Sequence, residues 1–140
     1  MKPAAKKVLI SGASIAGPAL ALWLVRYGFE VTIVEQAREV RRGGQAVDFK
    51  GAAHRTVLEQ MGISEEVQQA RTVSGGDGVI VDAAGRQIAT IPAEFSAGEL
   101  EIARGDLARI LFEHTVGQCE YLFGDTIPSR PCTKRPPAWT

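Results

Sequence analysis

The sequence predicts an α/β fold built on a Rossmann-like βαβ unit of the dinucleotide-binding kind, incomplete, with a small β-hairpin insertion. Three observations predict it. The short apolar run "KVLIS" at Lys7–Ser11 is closed by Gly12. A stretch with apolar residues at helical spacing follows from Ala13 to Tyr27, and the β-branched run "EVTIVE" at Glu30–Glu35 comes next. Strand, helix and strand in this order rejoin as a parallel pair through a right-handed crossover.

Each element has a local reason. Lys7–Ser11 reads as a buried strand. In the helix over Ala13–Tyr27, Leu20, Trp23, Leu24 and Tyr27 fall at i, i+3, i+4 and i+7 and form one apolar face. Gly28 stands where a helix takes its left-handed cap. The segment "QAREVRRGGQAVDFKG" is rich in Arg and Gly and reads as a loop. Ala52 to Met61 reads as a helix closed by Gly62, and Ser64 caps a second short helix reaching Ala70. "GGDG" at 75–78 reads as a turn, and "VIVD" and "RQIATI" around "AAG" as an antiparallel hairpin. Arg104 to Thr115 reads as an amphipathic helix with Leu107, Ile110, Leu111 and His114 on one stripe. "CEYLF" reads as a late strand, cut short before its partner.

The last residues break this pattern. "PSRPCTKRPPAWT" holds Pro128, Pro131, Pro136 and Pro137, three basic residues and no acidic one, which favours neither sheet nor helix. Residues 1–127 are therefore expected to form a partial nucleotide-binding domain, and 128–140 an irregular tail outside it. A truncation, a frameshift or a cloning boundary would each produce such a tail. Missing strands would leave a parallel sheet with an open, partly apolar edge.

Composition narrows the class. The 140 residues make about one domain, 45% hydrophobic and 23% charged, and sixteen Lys and Arg balance sixteen Asp and Glu. No global field favours nucleic acid or an anionic membrane. No run approaches the ~18 apolar residues of a membrane span, and the basic start "MKPAAKKVLI" reads as a first strand and not a signal peptide. Cys119 and Cys132 lack zinc-site or C-x-x-C spacing. A cytoplasmic protein without a metal site is the expectation.

The chemistry begins at Gly12-Ala13-Ser14-Ile15-Ala16-Gly17. A dinucleotide loop takes Gly first for its tight turn, a small second residue so that backbone can approach pyrophosphate, and Gly third so that helix packs on strand. Ser14 holds the second place, small and with a hydroxyl able to donate to a phosphate. The helix start adds backbone N–H groups and the positive end of its dipole. Ala21, four residues after Gly17, keeps helix and sheet close. Glu35 lies 18 residues beyond Gly17, near the ~20 expected of an acidic residue accepting from ribose hydroxyls, and its charge disfavours a 2′-phosphate. In isolation Glu35 would simply end a strand in solvent. The nucleophile-elbow pattern of hydrolases fails, because position 16 is Ala where that motif needs Gly.

Three blocks in order, "VLISGASIAGPALALWLVRYGFEVTIVEQ", "RRGGQAVDFKGAAHRTVLEQMGI" and "EIARGDLARIL", resemble the FAD-dependent aromatic hydroxylases. These are the single-component monooxygenases related to para-hydroxybenzoate hydroxylase and to tetracycline-inactivating monooxygenases. The resemblance covers Lys6 to Ile127. It implies a GR2-type FAD-binding fold in which Gly12, Ser14, Ile15, Ala16, Gly17, Glu35 and Gln36 hold the ADP half of FAD. It implies that Arg42, Gly43, Gly44, Gln45 and Asp48 pass near the isoalloxazine ring. It implies that Arg104, with Leu107, supplies a guanidinium to FAD, a forked and permanently charged donor suited to phosphate. On their own, Arg104 reads as a helix-end residue pairing with Glu101 or Asp106, Arg41 and Arg42 as a solvated loop, and Asp48 as a loop cap. His54 and His114 take no catalytic role.

The resemblance further implies NAD(P)H as reductant and hydroxylation of an aromatic or polyketide-like small molecule through a flavin hydroperoxide, with no side chain acting as nucleophile. The family's second FAD motif, a Gly-Asp pair, and its later Asp-Gly motif have no counterpart here, and Ser14 replaces the usual second Gly. Two alternatives stand beside the enzyme: a non-catalytic nucleotide-binding remnant, and an NAD-dependent dehydrogenase domain with Glu35 on the adenosine ribose.

Overall fold

The computed structural model describes residues 6–72, 77–92, 95 and 100–128. Strand β1 (Lys7–Ser11) leads through a glycine turn into helix α1 (Ala16–Arg26), and the chain returns as β2 (Glu30–Glu35). Then come β3 (Ala46–Phe49), α2 (Ala52–Met61), α3 (Ser64–Gln69), β4 (Gly78–Val81), β5 (Gln87–Ile91), β6 (Leu100–Ala103), α4 (Arg104–Thr115) and β7 (Glu120–Phe123). The architecture is mixed α/β.

β1 and β2 pair in parallel, with Val8 opposite Val31 and Ile10 opposite Ile33. β7 joins β2 on its other side, also parallel, so the sheet order is β1-β2-β7. The late strand expected to lack a partner thus has one in β2. Alternate residues Val8, Ile10, Val31, Ile33, Tyr121 and Phe123 share one sheet face, where they meet Ala21, Leu24 and Val25 of α1. Phe112 of α4 packs edge-on to Tyr121 and Phe123 on that same face. Helices therefore cover one face. On the other, Leu9 is 56% exposed and Leu122 39%, although parallel sheets ordinarily bury both faces.

α1 differs from expectation in two ways. It starts at Ala16, not Ala13, because Gly12 (φ +103°) and the residues to Ile15 form the turn. Its buried face is Gly17, Pro18, Ala21 and Leu22, whereas Leu20 and Tyr27 are exposed. The cause is a helix wedged between two clusters. Ala21 and Leu24 face the sheet, while Leu22 joins Leu58, Val67, Ile102 and Leu111 in a second core. Close approach runs along the small residues: a Cβ on Gly17 would overlap the Gly12 carbonyl oxygen. Gly28 does cap the helix, with Gly28 N–H on Val25 O (2.9 Å) and Phe29 N–H on Leu24 O (3.1 Å), the paired bonds of a Schellman motif.

α2 closes at Gly62, whose left-handed backbone turns the buried Ile63 into the second core. Ser64 is the first residue of α3 and makes no side-chain cap, so its expected role is corrected; Ile63 holds the cap position. Arg26 fastens α1 to α2: its guanidinium donates to Gln60 O and Met61 O, each at 2.6 Å, with its carbon 5.3 Å from the Trp23 ring. The Arg/Gly-rich segment expected as loop contains β3, antiparallel to β6 with Val47 opposite Ile102. Long-range pairing to a fully buried Ile102 overrides a loop-like composition.

The hairpin β4–β5 forms as expected, its turn held by Asp82 Oδ1 accepting from Ala84 and Arg86 N–H at 2.9 Å. Gly75 and Gly76 of the expected "GGDG" turn lie outside the described residues, as does the tail from 129 to 140. Among the described residues, no helix is long and apolar enough to cross a membrane.

Candidate functional site

Parallel in-register strands bring the carboxyl ends of β1 and β2 to one edge of the sheet, with Ser11 opposite Val34. The two connecting loops meet there. Gly12 N–H donates to Val34 O at 2.7 Å, tying the glycine turn to the end of β2. Such an edge, where strands hand over to helix N-termini, is where open α/β sheets bind ligands.

Glu35 is held from both sides. Its Oε2 accepts the Ala13 N–H and its Oε1 accepts the Ala37 N–H, each at 2.8 Å. The Ala13 bond first, then the Ala37 bond, lower the carboxyl below its ordinary pKa, against an opposing push from burial; Arg41 adds to the lowering. Each carboxylate oxygen keeps lone-pair capacity for a hydroxyl donor.

Arg104 opens α4, and its guanidinium reaches back across the chain: Nη2 donates to Ser14 Oγ at 3.2 Å. Its backbone N–H donates to Gln45 O at 3.0 Å. The next residue is buried Gly105, where a Cβ would overlap the Arg42–Gly43 backbone. The glycines of this loop therefore lie flat across the first turn of α4, with φ +70° at Gly43 and +102° at Gly44. Enclosed by these parts is a cavity of about 420 Å³, lined by Ser14, Glu35, Arg42, Gly44 and Arg104 among others. An acceptor carboxylate, a fixed guanidinium and the N-terminal end of α1 around one cavity suit a ligand that carries hydroxyls and phosphate.

Of the residues singled out from sequence, Ser14, Glu35, Arg42, Gly43, Gly44 and Arg104 come together on this cavity. Gly12 and Gly17 shape the turn from behind: Gly12 through its positive φ, Gly17 through burial against Gly12. Ile15 precedes α1 and packs on the second core, and Ala16 and Gln36 are exposed beside the turn. Gln45 contributes its carbonyl to Arg104. Asp48 lies away from the cavity lining, on β3 opposite Glu101, with Lys50 Nζ at 3.9 Å. Leu107 is a core residue of α4. Sequence reasoning missed Ala13, Glu39, Val40, Gly105 and Ala108 in the lining, and left Arg41 as solvated loop. Adjacency to Arg42 and Arg104 was the available signal for Arg41 and Gly105.

Residues 5–126 match the family described as FAD binding domain. A flavin-dependent monooxygenase from an unknown prokaryotic organism is 47% identical over 115 residues, 79% of this chain and 29% of that protein. The flavin-dependent monooxygenase eupH of Phoma sp is 41% identical over 116 residues, 78% of this chain and 26% of its own. Among solved structures, the tetracycline destructase Tet(55) superimposes with a TM-score of 0.72 at 42% identity, covering 92% of this chain and 32% of that one. The chain thus spans about a third or less of the length of the relatives it matches.

Proposed function

The chain belongs to the FAD binding domain family, and from that membership we propose that it forms the FAD-holding part of a flavin-dependent monooxygenase. Supporting this are relatives of that name and the grouping of Glu35, Ser14 and Arg104 on one cavity. We infer that the βαβ unit is of the Rossmann-like, GR2 type, that the domain occupies 1–127, and that 128–140 lies outside it. The family match over 5–126 supports these bounds.

The residues fit the cofactor. Glu35, its carboxylate turned by two backbone N–H groups, accepts from ribose hydroxyls. Gly12 makes the tight turn with open space beside it, and Gly17, packed on the Gly12 carbonyl, sets the start of α1 behind that turn, so that backbone donors face the pyrophosphate. Arg104 supplies fixed positive charge, and the Arg42–Gly44 loop forms the opposite wall. Gln36 follows Glu35 beside the turn and Gln45 holds the Arg104 backbone, whereas Asp48, on β3 away from the cavity, takes no part in this reading. Bound FAD supplies two-electron redox chemistry with NAD(P)H and activation of dioxygen for transfer of one oxygen atom to an aromatic or polyketide-like small molecule. This chain's own work is to bind, orient and shield the cofactor. The match to an FAD-binding family supports flavin over the dehydrogenase alternative.

The observation that carries the proposal is the Glu35 carboxylate fixed against the glycine turn. Mixing the purified chain with FAD, removing free flavin and recording the visible spectrum and flavin fluorescence tests it. A retained, perturbed flavin band is expected. Complete loss of flavin from a folded chain overturns the proposal.

A further inference from the structure

Resting on the FAD-binding function proposed above, we propose that Ser14 is a positioning residue for Arg104: its hydroxyl holds the guanidinium over the glycine turn before the cofactor arrives. Ser14 and Arg104 are 90 residues apart in sequence, yet Arg104 Nη2 donates to Ser14 Oγ at 3.2 Å. Ser14 occupies the place in the Gly12–Gly17 turn where glycine would give closest approach to pyrophosphate. Glycine there offers no side-chain acceptor. Serine gives up a little room and gains one, aimed at the residue opposite.

The physical gain is pre-organisation. A long, exposed arginine loses rotamer freedom when it engages a ligand, and that loss subtracts from affinity. Two features restrain Arg104 in advance. Its backbone N–H is bound to Gln45 O, which fixes where the side chain starts. Its guanidinium tip rests on Ser14. A guanidinium has five N–H donors, so one bond to Ser14 leaves the others for phosphate oxygens. Ser14 thus acts through Arg104.

A double-mutant cycle on the full chain tests this, with two readouts. The first uses no cofactor. In ¹⁵N-labelled chain, the Arg104 Nε–H signal, identified by its loss in Arg104→Lys, is expected to report an ordered side chain that becomes mobile in Ser14→Ala. The second is FAD affinity by flavin-fluorescence titration. Ser14→Ala is expected to weaken binding about fivefold to tenfold, the scale of ordering one rotamer-rich side chain on binding. Arg104→Lys should weaken it at least as much, and the double variant little more than Arg104→Lys alone. The thermal midpoint of Ser14→Ala should match the parent, which separates positioning from a structural role. Equal Arg104 mobility in parent and Ser14→Ala, or losses that multiply in the double variant, overturns the inference. A parent chain that folds but binds no FAD overturns the proposed function instead, while the NMR comparison still decides whether Ser14 holds Arg104.

Discussion

Glu35 Oε2 accepts the backbone N–H of Ala13, 22 residues earlier, at 2.8 Å. One bond joins the end of β2 to the turn that opens α1. It orients the carboxylate toward the cavity, satisfies a donor that the turn leaves without a helical partner, and keeps the group ionised. Three properties of the site therefore depend on one side chain.

The first prediction is a pH dependence. Glu35 has its pKa lowered by folding, so its contribution is complete above the ordinary carboxylate range, near ~4.3, and is lost as pH falls through the lowered value. Urea-unfolding free energies should be flat above about pH 5 and decline below it. Glu35→Gln should be less stable at pH 7 by about 1 kcal/mol, a modest figure because the group is partly solvated. Its decline in acid should be shallower than the parent's.

Gly17→Ala should destabilise the chain by about 1–3 kcal/mol, because the added methyl has no room against the Gly12 carbonyl and Ile10. Thermal or urea unfolding reads this directly. Ala at Gly117, where an added Cβ meets nothing within 4 Å, is the control, and should move stability by much less.

Thr115 is buried at the end of α4, donating to Leu111 O at 2.8 Å and meeting the Tyr121 hydroxyl at 2.6 Å. Burial pushes the Tyr121 phenol up, and the Thr115 bond partly opposes it. Thr115→Val should cost about 1–2 kcal/mol by stranding that phenol. Tyr121→Phe in the Thr115→Val background should then cost little more, since the stranded group is gone. Unfolding free energies of the four chains form the cycle.

The hairpin β4–β5 leaves every residue of β5, and Val79, Ile80 and Val81 of β4, exposed. A two-stranded hairpin with so little burial is marginal. Its amides should exchange with solvent far faster than those of β2, whose Val31, Ile33 and Val34 are buried. Hydrogen-exchange mass spectrometry on the two segments measures the contrast.

The βαβ unit, α2, the hairpin and α4 were legible in sequence because each carries its signal locally: an apolar run, a helical period, a closing glycine. What failed was long-range. β3 hides in "RRGGQAVDF", where composition favours a loop, and exists because β6 pairs with it. The buried face of α1 was misread because Leu22 and Ala21 serve different cores, so no single stripe describes the helix. In the site, Ser14, Glu35 and Arg104 were legible from spacing and resemblance. The contribution of Gly105 was not, since only the crossing of the Arg42–Gly44 loop makes a missing side chain matter there.

Calorimetric titration of FAD into the parent chain and into Glu35→Gln most directly tests whether the fixed carboxylate makes this an FAD site. The expected result is one FAD per chain for the parent and about tenfold weaker binding for Glu35→Gln, the loss of a charge-assisted acceptor for ribose hydroxyls. Equal affinity in the two chains, or no binding by a folded parent, would contradict it.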